Sequence, residues 1–169
     1  MTTYIALLRA VNVGGTGKLP MAELRSICES IGCTDVRTYI ASGNVVFASK
    51  LSKAGVKKKL EAALEAWAGK PVGVAIRTGP EMAAVLVANP FASAAPNRTV
   101  AIFLDGPPPA DALEQISGQR NEEAALGANE IYVHYGDGMA NSKLKIPAAK
   151  TGTARNINTI ATLAEWAAE

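Results

Sequence analysis

The side chains of this chain that could do chemistry are mostly cations and amides, and they fall in four places: Arg9 with Asn12, Lys18, Ser42 with Asn44, and Lys143 with Arg155 and Asn156. Arg9 interrupts a run from Tyr4 to Val13 in which both alternating sets are apolar, Ile5, Leu7 and Val11 against Tyr4, Ala6, Leu8 and Ala10. A guanidinium on the buried face of such a strand requires an anion or several acceptors. Its partner is either an internal carboxylate, Asp105 or Glu23, or a ligand near the end of the strand. Arg155 poses the same question at a helix end. Thr153 reads as an N-cap, which puts Arg155 in the first turn, where the helix dipole disfavours a cation by roughly 0.3–1 kcal/mol. Lys143, Lys145 and Lys150 precede it, so positive charge gathers at a helix N-terminus, an arrangement suited to phosphate or carboxylate. The alternative is a solvated basic loop whose arginine is bound to a neighbouring carboxylate or carbonyl.

The stretch Asn12 to Leu19 joins a strand to a helix through glycines and ends Gly17-Lys18, superficially like a phosphate-binding loop. It fails the P-loop pattern, which needs glycine where Asn12 stands and serine or threonine where Leu19 stands; the dinucleotide pattern fails at Pro20. Nucleotide hydrolysis is therefore not expected. Anion binding by the backbone N–H groups of such a turn survives, with a plain connecting loop as the alternative. Ser42-Gly43-Asn44 reads first as a hairpin turn, glycine and asparagine tolerating positive φ. If that turn lies beside the end of the first strand, Ser42 and Asn44 complete a polar pocket with Arg9 and Asn12.

Other chemistries are excluded by count. With one histidine and two cysteines, no zinc cluster is expected, and any serine or cysteine triad would have to pass through His134. His134 alternates with Tyr132 and reads as a half-exposed strand histidine. Cys28 and Cys33 flank a helix end and match no metal or redox spacing, which suits a cytoplasmic protein. Charged residues are 19% of the 169 and balance to +2, short of the basic footprint of a dedicated nucleic-acid binder. Hydrophobic residues at 49% can build a real core. Met1-Thr2-Thr3-Tyr4 carries no basic n-region and the apolar run after it is broken by Arg9 and Asn12, so neither a signal peptide nor a membrane span is expected. No cofactor is expected.

The elements that must position these residues follow from periodicity. Strand Tyr4 to Val13 ends at Gly14-Gly15; Pro20 opens a helix with Met21, Leu24, Ile27 and Ile31 on one face and Gly32 at its stop. Val36 to Ile40 and Val45 to Phe47 form a hairpin, Ser52 caps a helix through Trp67 that stops at Gly69, and Val72 to Ile76 is a strand. This βαββαβ order is the split βαβ unit of ferredoxin-like domains. After a short helix at 82–87, Asn89-Pro90-Phe91 through Asn97 makes a boundary. The second half reads βαββα: strand 100–104, helix 110–116, a weak strand 122–126, strand 131–135 and a closing helix 154–167. The expected fold is α+β, a tandem of two ferredoxin-like halves, residues 1–88 and 89–169.

Four blocks then stand together: Leu8-Arg9-Ala10-Val11-Asn12-Val13-Gly14-Gly15, Met21-Ala22-Glu23-Leu24, Thr38 through Phe47, and Thr153-Ala154-Arg155-Asn156. They closely resemble the bacterial family known as domain of unknown function 1697, with Asn89-Pro90-Phe91 and Ser142-Lys143-Leu144 as two further landmarks, over nearly the whole chain. The resemblance implies a tandem ferredoxin-like fold in a cytoplasmic protein and brings no established activity. The family's closing motif usually carries tryptophan after the Arg-Asn pair, where this chain has Ile157.

The function expected from these residues is binding of a phosphorylated small molecule or nucleotide-like anion in a cleft between the halves, by Arg9, Asn12, Lys18, Ser42, Asn44, Lys143, Arg155 and Asn156. An RNA-binding module is one alternative, weakened by an aromatic content of 5% and by Gly43 to Phe47, which lacks the basic and aromatic pattern such modules use to stack bases. A homodimerising protein without a small ligand is another. An enzyme would have to rely on arginine and asparagine stabilising negative charge, with Tyr39 or Lys143 moving a proton.

Overall fold

The computed structural model describes residues 1–9, 19–39, 43–93, 96–136 and 142–168. They form two compact units, Met1–Met82 with Leu163–Glu169, and Ala83–Thr162. The division between these units falls inside a helix, and the end of the last helix belongs with the first unit.

In the first unit the elements run β1 (Thr2–Leu8), α1 (Met21–Ser30), β2 (Thr34–Tyr39), β3 (Asn44–Ser49), α2 (Lys53–Ala68), β4 (Val74–Thr78) and the start of α3 (Gly79–Val87). The strands form one antiparallel sheet in the order β2-β3-β1-β4. Period-two alternation sends Tyr4, Ala6 and Leu8 of β1, Val45 and Phe47 of β3, and Val74 and Ile76 of β4 into one core. Leu24, Ile27 and Cys28 of α1 and Val56, Leu60 and Leu64 of α2 close it at helical spacing. Ile5 and Leu7 on the opposite face are also fully buried, so β1 is covered on both sides as expected. The described strand nevertheless stops at Leu8; the expected continuation through Val13 lies outside the described residues.

Local signals set most element ends. The Ser52 hydroxyl accepts from Gly55 N–H at 3.1 Å to open α2, and Gly69, at φ 74°, closes it. Thr78 and Glu81 form a reciprocal capping box: Thr78 N–H donates to Glu81 Oε1 at 2.9 Å, and Glu81 N–H to Thr78 Oγ1 at 3.3 Å. α3 therefore starts directly off β4, earlier than the helix expected around Met82.

The second unit contains β5 (Thr99–Phe103), β6 (Glu123–Leu126), β7 (Glu130–His134), β8 (Thr153–Asn156) and the start of α4 (Ile157–Ala168). Its antiparallel sheet has the order β6-β7-β5-β8. Val100, Ile102, Ile131 and Val133 face loop residues Leu144, Ile146, Ala148 and Ala149 instead of a pair of α-helices.

Two expectations fail here for local reasons. The helix expected at 110–116 is a single 3-10 turn, Ala112–Gln115, because Pro107-Pro108-Pro109 precede it and Gly118 follows too soon for an α-helix to propagate. The helix expected from Ala154 begins only at Ile157. Thr153–Asn156 instead pairs with Val100–Phe103, and the cap is Asn156, whose Oδ1 accepts from Thr159 N–H at 2.8 Å.

Gly118 is the backbone position most tightly specified. Its φ is 71°, and a Cβ there would collide with the Lys143 carbonyl oxygen. Gly118→Ala is expected to lower the free energy of unfolding by about 1–3 kcal/mol, through strain and overpacking together. Gly106→Ala, where a Cβ meets nothing within 4 Å, serves as the control in the same urea titration and should stay within about 0.5 kcal/mol of the parent.

Candidate functional site

One end of the first sheet gathers the loop ends named by the sequence. Leu8 N–H donates to Gly43 C=O at 2.8 Å, which sets the β2–β3 turn beside the end of β1. Arg9 N–H donates to Gly73 C=O at 2.8 Å, which brings in the segment before β4. That segment is held in turn by α2. Glu61 Oε2 accepts from Val74 N–H at 3.1 Å and from Lys57 Nζ at 2.9 Å, while Lys57 Nζ also donates to Val74 C=O at 2.6 Å. The half-buried Lys57–Glu61 pair thus works as a bracket for a backbone end as well as an ion pair.

Arg9 does not occupy the buried strand position expected of it. It lies past the last residue of β1 and is exposed, while its backbone N–H continues the β1–β4 register by one step to the Gly73 carbonyl. Its aliphatic stem runs over Gly73, where a Cβ would stand 3.7 Å from Arg9 Cδ and 3.8 Å from its Cβ. Asn44 is also not a turn residue open to a ligand. It is the first residue of β3, fully buried and paired with both Leu7 and Tyr39, and its Nδ2 donates to Tyr39 C=O at 2.9 Å. The amide therefore closes the turn. Asn12, Lys18 and Ser42 lie outside the described residues.

Arg155 and Asn156 are placed differently from expectation. Arg155 sits within β8, so no helix dipole opposes it, and only 8% of its surface is exposed. Its Nη1 donates to Thr153 Oγ1 at 2.7 Å and to Ala154 C=O at 2.9 Å. Burial pulls its pKa down to about 10, which still leaves it charged at neutral pH. Asn156 is occupied as the cap of α4. A second buried arginine, missed in the sequence, is its counterpart: Arg77, 7% exposed in β4, donates from Nη1 to Ile76 C=O at 2.9 Å. The signal was present, since Arg77 directly ends the apolar run Val74-Ala75-Ile76 within a strand.

Lys143 is exposed and projects from a stitched pair of segments in the second unit. Ser142 Oγ donates to Glu122 Oε2 at 2.6 Å, Arg120 N–H donates to Glu122 Oε1 at 2.6 Å, and Ser117 and Lys145 form a bridge closed by two backbone hydrogen bonds. The Ser142 hydroxyl, then the backbone N–H donors, hold the Glu122 carboxyl below its ordinary value. His134 is half-buried, its Nδ1 3.1 Å from Thr99 Oγ1 and its ring tilted against Phe91. Burial first, then Cys33 and Glu29, pushes the Cys28 thiol up to about 12, and burial pushes Cys33 to about 11, so both are poor nucleophiles. Among the described residues no three His, Cys, Asp or Glu side chains are grouped to hold a metal ion, and no helix is long and apolar enough to cross a membrane.

Two four-stranded antiparallel sheets with four α-helices, and a polar loop end on the first, define an α+β protein without a recognisable catalytic centre among the described residues. The family model described as "Protein of unknown function (DUF1697)" matches residues 1–132, and the chain belongs to that family. A solved structure similar to it over its length is that of a conserved bacterial protein, SP0830 from Streptococcus pneumoniae, at 26% identity and a TM-score of 0.81, with 98% of each chain covered. A comparison with curated proteins finds no match.

The Glu122 cluster gives a pH prediction. A carboxyl whose folded-state pKa is depressed adds stability that is fully present above its unfolded value and is lost as pH falls through the folded one. Above the ordinary value of 4.5, Glu122→Gln should therefore be less stable than the parent by a constant margin, and the margin should close as pH drops below it. Urea midpoints measured along a pH series for both proteins check this; a margin that persists unchanged into acid would refute it.

Proposed function

We propose that this protein binds a phosphate-bearing small molecule at the loop end of its first sheet, with Arg9 as the principal cation. The observation that carries the reading is the pair of hydrogen bonds from Leu8 to Gly43 and from Arg9 to Gly73. They join the end of β1, the β2–β3 turn and the segment before β4 in one place, and the glycine-rich stretch holding Asn12 and Lys18 continues directly from Arg9. An exposed arginine at such a loop end suits planar, bidentate recognition of a phosphate. Ser42, which precedes Gly43 in the sequence, offers a hydroxyl. Lys143 stands in the other unit and Arg155, Asn44 and Asn156 already serve the fold, so the reading rests on Arg9, Asn12, Lys18 and Ser42.

We also read each sheet as a ferredoxin-like half. The orders β2-β3-β1-β4 and β6-β7-β5-β8 support this, as does the placing of α1 and α2 in the first unit between the same strands as in a split βαβ unit. A cytoplasmic location is supported by two free, buried cysteines.

A ligand that binds only the folded state at about a hundred times its Kd stabilises it by about 2.7 kcal/mol, which raises the Tm of a chain this long by several degrees. A thermal-shift series with sugar phosphates, nucleotides and inorganic phosphate should yield such a rise for at least one compound. Arg9→Gln should abolish the rise while leaving the unliganded Tm within about a degree, because the side chain is exposed. Absence of stabilisation by any phosphate compound at millimolar concentration, or an undiminished shift in Arg9→Gln, would discard the reading.

A further inference from the structure

The first unit carries a second polar and aromatic feature, on its edge strand. Arg37 of β2 is exposed, and its Cζ lies 3.9 Å from the ring centroid of Trp166, which the end of α4 supplies. Tyr39 meets the same indole edge-on, with centroids 5.2 Å apart and planes at 78°. Two residues before Arg37 stands Asp35, the non-glycine residue with positive φ among those described, at 52°. It falls in the bulge where the β2–β3 register shifts between Thr34 and Arg37. Asp35, Arg37 and Trp166 line a groove of about 210 Å³ floored by Thr3 and Ala48.

The chemistry of that groove is specific. Its volume is below the roughly 300–1,000 Å³ of sites that enclose a drug-sized molecule, so it takes one ring system. A guanidinium stacked on indole offers a planar surface on which a further aromatic ring stacks, as bases do on arginine and aromatic planes. A carboxylate beside it repels a bare anion and accepts hydrogen bonds, so the complementary ligand is planar, uncharged in its ring and a donor at one edge. Asp35 and Arg37 stand two residues apart on β2, so the alternation of the strand puts both on the face that lines the groove, while Val36 between them turns into the core.

We propose that this groove binds a nucleobase bearing an exocyclic amine, its ring stacked on the Arg37–Trp166 shelf and its amine donating to the Asp35 carboxylate. The site is separate from the loop end of the sheet. Along β3, Ala48 pairs with Thr3 at the start of β1, whereas Asn44 pairs with Leu7 near its finish. Cytosine and uracil then differ at the atom that Asp35 reads, since a carboxylate accepts from cytosine N4–H and repels the uracil carbonyl.

The test is tryptophan fluorescence in a Trp67→Phe background, where the signal comes from Trp166. Cytidine and cytidine monophosphate should quench it saturably, uridine should bind roughly tenfold more weakly, and ribose 5-phosphate should leave it unchanged. Arg37→Lys, which keeps the charge at an exposed position but removes the planar face, should weaken cytidine at least about fivefold. Asp35→Asn, which tolerates the same backbone, should erase the preference for cytidine over uridine. Arg9→Gln should change none of these, which separates the groove from the phosphate site. A single-stranded cytidine oligonucleotide that binds much tighter than the nucleoside, with steep salt dependence, marks nucleic acid as the source of the base; equal affinity marks a free nucleotide. No saturable change with any nucleoside at millimolar concentration, or equal quenching by ribose 5-phosphate, would overturn the proposal.

Discussion

The structure depends on central strands sealed on both faces. In β1 the residues from Tyr4 to Leu8 are all buried, and in β5 so is every residue from Thr99 to Phe103. A strand in that position cannot hold an open polar group at mid-length, because any unmet donor or charge would cost several times what a typical hydrogen bond contributes. Chemistry is thereby driven to two kinds of place. One is the end of a strand, where Arg9 follows the last residue of β1 and is exposed. The other is the edge of a sheet, where β2 and β6 are the least buried strands and Arg37 faces solvent.

The same constraint explains the two buried arginines. Arg77 in β4 and Arg155 in β8 both flank a central strand, Arg77 opposite Ile5 and Arg155 opposite Ala101. Each donates to the carbonyl of the residue before it, and each is followed by the residue that caps the next helix, Thr78 or Asn156. The guanidinium satisfies backbone acceptors next to a strand-to-helix turn, where the polypeptide changes its hydrogen-bonding pattern. The sequence of strand, arginine, cap and helix thus occurs at the end of both sheets.

How much of this was legible in the sequence follows from the range of the forces involved. Elements set by local chemistry were readable: the Ser52 cap, the Gly69 stop and the alternating core of β1 and β3. Elements set by pairing at a distance were not. Thr153-Ala154-Arg155-Asn156 has the residues of a helix start, and only the vacant edge of β5 turns it into a strand. Arg9 was singled out as a cation in an apolar run and Asn44 as a turn residue, but whether such a residue faces solvent or starts a buried strand is decided by a ladder register that no short window contains. The Arg37–Tyr39–Trp166 cluster was illegible for the same reason, its members lying on β2 and at the far end of the chain.

The allocation of Leu163–Glu169 to the first unit has a bearing on synthesis. During translation the leading segment is finished about 80 residues before the helix end that completes it, an interval of roughly 4–16 s at ordinary ribosomal speeds. Until then the indole that meets Arg37 and Tyr39 has not been made. The nascent amino-terminal portion must wait unsealed on the ribosome, a window in which a chaperone, or a competing copy, can occupy the place that Trp166 later takes.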